Sequence, residues 1–314
     1  MTNTMTIRRP RFTTHADGTD ATLTIHEITG TGDGPTVGIS ASIHGNEPTG
    51  TEIILELFRL LRHTPIRGRL MLLPVANPRA YAVNHRFTPI DELNLNREFP
   101  GDPRGNYTQQ LAAAITREFL EVIDVHLDFH SGTDRPTVDY VYLWNDEALS
   151  RSFGSTVLYR PQPSREGTTF SGTTKVVTLD RRNIPVVVVE LGGGIVDQRP
   201  YVERGIAGLV NMLRQLGVLD GDVAPPPPQT VVKGIKTIRP TQAGLLETLA
   251  PPLGQVIRKG QLLGRVVSPY TFETLEEIPT PYDNGIMILS HLSRNLVESG
   301  DYGYMVGDLD GAET

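Results

Sequence analysis

The chain has 314 residues and no cysteine. Disulfide scaffolds, thiolate nucleophiles and cysteine-built zinc sites are therefore excluded, and any metal must be held by histidine and carboxylate. No apolar run approaches the roughly 20 residues that span a bilayer. The segment Met1–Arg11 is polar and lacks the apolar stretch of a secretory leader. Positive charge is scarce as well: 29 Lys and Arg stand against 36 Asp and Glu, a formal net charge of −7. Without a sustained basic stretch a nucleic-acid partner is not expected, because phosphate binding needs a positive face. The expectation is a cytoplasmic protein with neither a membrane nor a nucleic acid as partner. A homo-oligomer is compatible with the sequence.

What is present is enough apolar residue, 38% of the chain, for a full core and roughly two domains. The sharpest break is Pro225-Pro226-Pro227-Pro228, which favours a stiff extended spacer. We expect a catalytic domain over 1–222, a proline linker over 223–228 and a small β domain over 229–314. In the first part strand and helix signals alternate. Thr36–Ile43 and Arg69–Val75 read as strands, with a helix to about Arg62 between them that carries Ile53, Leu57, Leu60 and Leu61 on one face. Leu111, Ile115, Phe119 and Val122 sit at helical spacing. Val125–Phe129 and Pro185–Leu191 read as strands, and Ile206, Leu209, Val210 and Leu213 mark a last helix. This pattern predicts an α/β fold, a mixed sheet flanked by helices. After Gln229, short β-rich runs separated by Gly and Pro predict a small all-β barrel or sandwich.

Three polar segments directly follow predicted strands, where open α/β sheets bind their ligands. In His44-Gly45-Asn46-Glu47, the His and Glu can both turn toward one ion, and Pro48 suits the start of a helix. His130 ends the strand in Asp128-Phe129-His130-Ser131-Gly132. Two His and one Glu make a ligand set for catalytic Zn2+ that leaves a fourth position for water. Glu190 follows the most apolar strand and precedes three glycines. A carboxylate is costly there without a role, and partial burial would raise its pKa toward that of a general base. A fourth segment, Arg86–Gly101, offers Arg86, Asn96 and Arg97 for a substrate carboxylate or an oxyanion. His126, Asp128 and His130 share one strand face. His126 lies deeper and reads as structural, whereas Asp128 reads as the residue that orients a metal ligand or a neighbouring arginine. His15, His26, His63, His85 and His291 have no metal-ligand context.

At these residues the chain resembles the succinylglutamate desuccinylase/aspartoacylase family, deacylases related to zinc carboxypeptidases. The matching pieces are HGNEPTG at 44–50, NPRAYAVNHRFTPIDELNLNREFPG at 77–101, DFHSGT at 128–133 and VVVELGGG at 187–194. The TPID-x-x-NLNR-x-FPG stretch is most similar to the branch of N-acetyl-diaminobutyrate deacetylases. The resemblance implies a zinc-carboxypeptidase-like fold with a C-terminal β domain narrowing the site mouth. It also implies one zinc held by His44, Glu47 and His130, with Glu190 as base and proton shuttle. Asn96 and Arg97 would contact a substrate carboxylate, and Arg86 would polarise the scissile carbonyl. Arg181 or Arg182 would supply a further arginine.

The activity so implied is removal of an acyl group from a small N-acyl amino acid or related amine. Metallocarboxypeptidase-type cleavage of small peptides and a non-catalytic binding protein on the same fold are the alternatives. Nickel, cobalt or iron would suit the same ligands. In the β domain, Tyr282 and Glu273 are candidates to reach the substrate. The stretch GLLETLAPPLGQVIRKGQLLGRVV is reminiscent of a biotinyl carrier hairpin, but Lys259 is followed by Gly260 in a turn position that is structural in such hairpins.

Overall fold

The computed structural model describes residues 3–162 and 170–313. The chain opens with β1 (Thr4–Arg8), β2 (Arg11–Thr14), β3 (Asp20–Thr22), β4 (Ile25–Thr29) and β5 (Gly32–Ala41). Next come α1 (Thr49–Leu61), β6 (Arg67–Leu73), α2 (Pro78–Ala82), α3 (Tyr107–Ile115), β7 (Val125–His130) and β8 (Thr137–Tyr142). Then follow α4 (Glu147–Ser152), β9 (Val157–Tyr159), β10 (Val186–Gly192) and α5 (Arg199–Gln215). Beyond the prolines are β11 (Thr230–Val232), β12 (Ile235–Ile238), β13 (Gly244–Thr248), β14 (Val256–Arg258) and β15 (Leu262–Val267). β16 (Thr274–Pro279), β17 (Asn284–Ser290), β18 (Asn295–Val297) and β19 (Tyr304–Asp308) complete it.

The large mixed sheet runs β1-β4-β6-β5-β7-β10-β8-β17-β19-β12. Its centre, β6-β5-β7-β10, is parallel, and the strands on either side pair antiparallel. The Val-rich β10 and the wholly buried β7 suit that centre, because parallel strands are covered on both faces and favour β-branched residues. Strand alternation then divides the layers. Val37, Ile39, Ala41, Val125, Leu127, Phe129, Val187, Val189 and Leu191 face α1, α4 and α5 in one core cluster. The intervening residues, including Ser40, His126, Asp128, His130 and Glu190, fall on the opposite face. There a second cluster built around α3 covers only part of the sheet. The uncovered part, beyond the strand ends, is where a site can form.

The structure agrees with the α/β reading, with an extra antiparallel sheet, β16-β15-β13-β18, formed by residues after the prolines. Two local expectations need correction. Leu60 is 40% exposed, its place on the buried face of α1 being taken by Ile54. Val122 is 45% exposed, because a π-helical turn over Thr116–Leu120 follows α3 and shifts the phase of the helix face. Across Pro225–Pro228 the large sheet is continuous: β11 pairs with β9, and β17 pairs with β8 through Leu289 opposite Val138. Strands from both sides of the linker therefore form one sheet next to the site. Among the described residues, no helix is long and apolar enough to cross a membrane.

The helix that follows the His44–Glu47 loop is seated closely. A Cβ added at Gly50, in the first turn of α1, would lie 2.6 Å from Phe129 Cβ and 2.8 Å from Ala41 Cβ. Both atoms are fixed to strand backbone and cannot swing aside. Gly50→Ala is expected to destabilise the fold by about 1–3 kcal/mol in urea denaturation, as overpacking does; an unchanged midpoint would contradict this seating.

Candidate functional site

Three segments deliver the site. After β5 the chain turns sharply at Ser42, which has φ of +51°, into His44-Gly45-Asn46-Glu47. Gly45 is required here, because a Cβ would sit 2.0 Å from the Ala80 carbonyl carbon at α2. Pro48 then caps α1. His130 is the last residue of β7, and Glu190 stands beside it in register on β10. Past Glu190, Gly192, Gly193 and Gly194 all have φ above +80°. A Cβ on Gly193 would meet the Gly132 carbonyl oxygen at 2.1 Å. The triple glycine is thus a close backbone crossing that lets the segments after β7 and β10 touch.

His44, Glu47 and His130 are buried and converge. His44 Nδ1 lies 2.8 Å from Glu47 Oε1, and His130 Nδ1 lies 2.9 Å from Glu47 Oε2. One ligand atom from each residue falls within 4.8 Å of the other two. The short His44 contact lacks hydrogen-bonding geometry, and that nitrogen is buried with no hydrogen-bond partner among the described residues. Distance without alignment is what donors aimed at a common ion present, so the residues fit a metal. The far nitrogens are occupied elsewhere: His44 Nε2 is 3.1 Å from Asn94 Oδ1, and His130 Nε2 is 3.6 Å from Asp128 Oδ2. On each ring Nδ1 faces Glu47, the side on which a metal ion would sit.

The electrostatics point the same way. Burial alone would push the Glu47 carboxyl up, yet His44 and His130 hold it well below the usual carboxylate range. Burial works against a charge on His130, but Asp128 and Glu47 carry it well above the ordinary histidine value. Around His130 the protein thus favours positive charge, whereas burial pulls the His44 imidazole below its ordinary value despite Glu47 beside it. Asp128 is likewise held low against burial, by His130, His126 and Ser40. Burial pushes the Glu190 carboxyl up to about 8, with Glu47 adding to the rise and His130 and Arg86 opposing it.

All eight site residues expected from the sequence line one cavity of about 280 Å³. Arg86 reaches Glu47 Oε1 through Nη1 at 2.8 Å. Asn96 and Arg97 lie in a short 3-10 turn, Leu95–Arg97. Burial and the neighbouring Arg86 pull the Arg97 guanidinium below its usual range, a crowding of cations that an anionic ligand would relieve. His126 is buried behind Asp128, hydrogen-bonded to Ser40, and does not line the cavity.

Other candidates fall away. Arg182 donates to the Leu120 and Ile123 carbonyls and is structural, and Arg181 does not reach the cavity. Neither Tyr282 nor Glu273 lines it; from the segment after the prolines, Thr237, Leu289, Tyr302 and Met305 do. Lys259 is paired with Asp283 and exposed, away from the site. None of His15, His26, His63, His85 and His291 lines the cavity.

Sequence reasoning missed the aromatic wall. Tyr140, Tyr142 and Trp144 alternate along β8 and just past it, and all three line the cavity. Tyr140 stands opposite Glu190 and donates its hydroxyl proton to the Tyr142 oxygen at 2.9 Å. Tyr142 and Trp144 stack with centroids 5.5 Å apart, and Phe170 meets Trp144 edge-on at 5.0 Å. The period-2 spacing in Tyr140-Val141-Tyr142-Leu143-Trp144 was a readable signal. Thr174 and Tyr302 carried none, and Asn94, though inside the NLNR stretch, was given no role.

The fold and site have known counterparts. The model of the succinylglutamate desuccinylase/aspartoacylase catalytic domain matches residues 33–216. An N-alpha-acetyl-L-2,4-diaminobutyric acid deacetylase of Halomonas elongata is 28% identical over 252 residues, which are 75% of this chain and 71% of that protein. A succinylglutamate desuccinylase structure from Silicibacter sp. superposes with a TM-score of 0.83 at 26% identity, covering 98% of this chain and 96% of that one. The product-bound ectoine utilization protein EutE (DoeB) of Ruegeria pomeroyi gives 0.81 at 25% identity, with coverage of 98% and 96%. With the family model spanning more than half of its length, the chain belongs to the succinylglutamate desuccinylase/aspartoacylase family.

Proposed function

We propose that the protein is a zinc-dependent amidohydrolase that removes the acyl group from a small N-acyl amino acid or a related amine. The observation that carries this reading is the convergence of His44, Glu47 and His130 on one point, with Glu190 beside His130 on the next strand. Membership of a deacylase family supports it. So does likeness to the Halomonas elongata deacetylase, whose substrate is an N-acetylated amino acid. A cavity of about 280 Å³ walled by aromatic side chains suits a small molecule better than a polypeptide.

Zinc, held by His44 Nδ1, Glu47 and His130 Nδ1, would supply an activated water and polarise the acyl carbonyl. The remaining work belongs to the chain. Glu190, with its raised pKa, accepts the proton of the attacking water and returns it to the departing amine. A nearby cation would lower that pKa again and free the carboxylate to act as base. The Arg86 guanidinium stabilises the negative charge that develops on the carbonyl oxygen. Arg97 and the Asn96 amide hold the substrate carboxylate, Arg97 through its planar fork of donors. The products are a carboxylic acid and a free amine.

Two substitutions separate holding the metal from turning over substrate. Glu190→Ala is expected to retain zinc and lose about 10²–10⁴-fold in kcat, while Glu47→Ala loses the metal, both followed by metal analysis beside an N-acetyl amino acid assay. Loss of zinc in Glu190→Ala would show that ligand and base had been exchanged. A second test concerns the arginine: Arg97→Ala is expected to raise KM by about 10–100-fold for carboxylate-bearing substrates, the worth of one charged hydrogen-bonded contact. The same substitution should hardly affect the corresponding carboxamides. An equal effect on both substrate classes would remove Arg97 from carboxylate recognition.

A further inference from the structure

Asp128 is a buried carboxylate whose two oxygens each accept from a hydroxyl, with the His130 ring close by. Oδ1 accepts from Ser40 Oγ at 2.7 Å, and Oδ2 accepts from Thr174 Oγ1 at 3.0 Å. His130 Nε2 lies 3.6 Å from the same Oδ2. A carboxylate only accepts, so both hydroxyls must donate to it. That settles the direction of the bonds behind it. With its own proton given to Asp128, Ser40 Oγ accepts from His126 Nε2 at 2.8 Å. His126 Nδ1 then carries a lone pair, and it is buried with no partner among the described residues. In front, His130 turns Nε2–H toward Asp128 and Nδ1 toward Glu47.

Thr174 has a second attachment. Its backbone N–H donates to Asn96 Oδ1 at 3.3 Å. That bond assigns the Asn96 amide: its oxygen is taken, and among the described residues no acceptor holds its NH2 group, which lies at the cavity. Thr174 comes from neither the sheet nor the Leu95–Arg97 turn. It lies 46 residues from Asp128 and 78 from Asn96 along the chain. One buried residue therefore touches the support of a metal ligand with its side chain and a substrate contact with its backbone.

We propose that Thr174 is a positioning residue that joins the two halves of the site. Its hydroxyl fixes Asp128, and through it the His130 imidazole, while its backbone N–H fixes Asn96. Ser40, itself set by His126, holds Asp128 from the sheet side. The proposal rests on reading His44, Glu47 and His130 as the zinc site.

The two attachments can be separated, because valine keeps the shape and backbone N–H of threonine but loses the hydroxyl. Zinc affinity of the full chain would be measured by competition with a chromogenic chelator, for the unaltered protein, Thr174→Val and Thr174→Ser. Thr174→Val is expected to bind zinc about 10–100-fold more weakly, the loss seen when the partner behind a metal-bound histidine is removed. Thr174→Ser should restore affinity to near that of the parent, and KM for a carboxylate-bearing substrate at saturating zinc should stay unchanged in both. Equal zinc affinity in Thr174→Val and the parent would overturn the proposal, as would equal losses in Val and Ser, which would mark a packing effect. If Thr174→Val fails to fold, Ser40→Ala tests the same carboxylate from the other side, with weaker zinc binding expected and unchanged binding contradicting it. A parent protein that binds no zinc would instead overturn the metal reading itself, a result distinct from either of these.

Discussion

Glu47 is a carboxylate with almost no access to water, and the local structure is organised around keeping it charged. Removing one partner from such a buried pair commonly costs about 3–5 kcal/mol, because the remaining charge is left uncompensated. Here the partners are two imidazoles and the Arg86 guanidinium, brought from a loop, a strand end and the segment after α2. The two imidazoles are held in turn. Asn94 sets His44, Asp128 sets His130, and Asp128 is itself held by Ser40 and Thr174. A buried polar network is favourable only when its members are satisfied. In this one His44 Nδ1 is left without an aligned partner, at the point where a cation fits.

The sheet makes this arrangement possible. Parallel pairing of β5, β7 and β10 brings three strand ends to one edge, and alternation sends the apolar residues to α1 and α5 and the polar ones to the other face. Antiparallel β8 then places Tyr140 opposite Glu190, and β17 extends the same sheet with residues from beyond the prolines. Leu289, Tyr302 and Met305 complete the cavity wall from that side. An aromatic lining around buried charges lowers the local polarisability, so the charges interact more strongly than they would in water.

The fold class, the parallel strands and the residues that converge around Glu47 were legible because each left a local trace. A polar residue after an apolar run is visible in sequence, as at His130 and Glu190, and a His and Glu three apart mark the loop after β5. The supporting residues left none. Thr174 acts through two hydrogen bonds to distant segments, and Asn94 through one to His44 beside its local bond from the Asn96 N–H, so neither long-range role can be placed from neighbouring residues. The pairing of β17 with β8 was hidden for a related reason. A proline run signals a stiff spacer but carries no information about which edge the chain rejoins. Val122 misled because a π-helical turn changes the helical phase without a sequence marker. Tyr282 and Glu273 were placed by position in the chain rather than by pairing, and it is pairing that set which residues reach the cavity.

The central claim is that His44, Glu47 and His130 form one metal site through Nδ1 of both imidazoles and the Glu47 carboxylate. Crystals grown with zinc and measured at the zinc absorption edge test it directly. One anomalous peak per chain is expected, about 2.0–2.2 Å from those nitrogens and a Glu47 oxygen, with Asn94 and Asp128 still on the Nε2 side of each ring. A peak bound elsewhere, or none at this position while the protein is catalytically active, would contradict it.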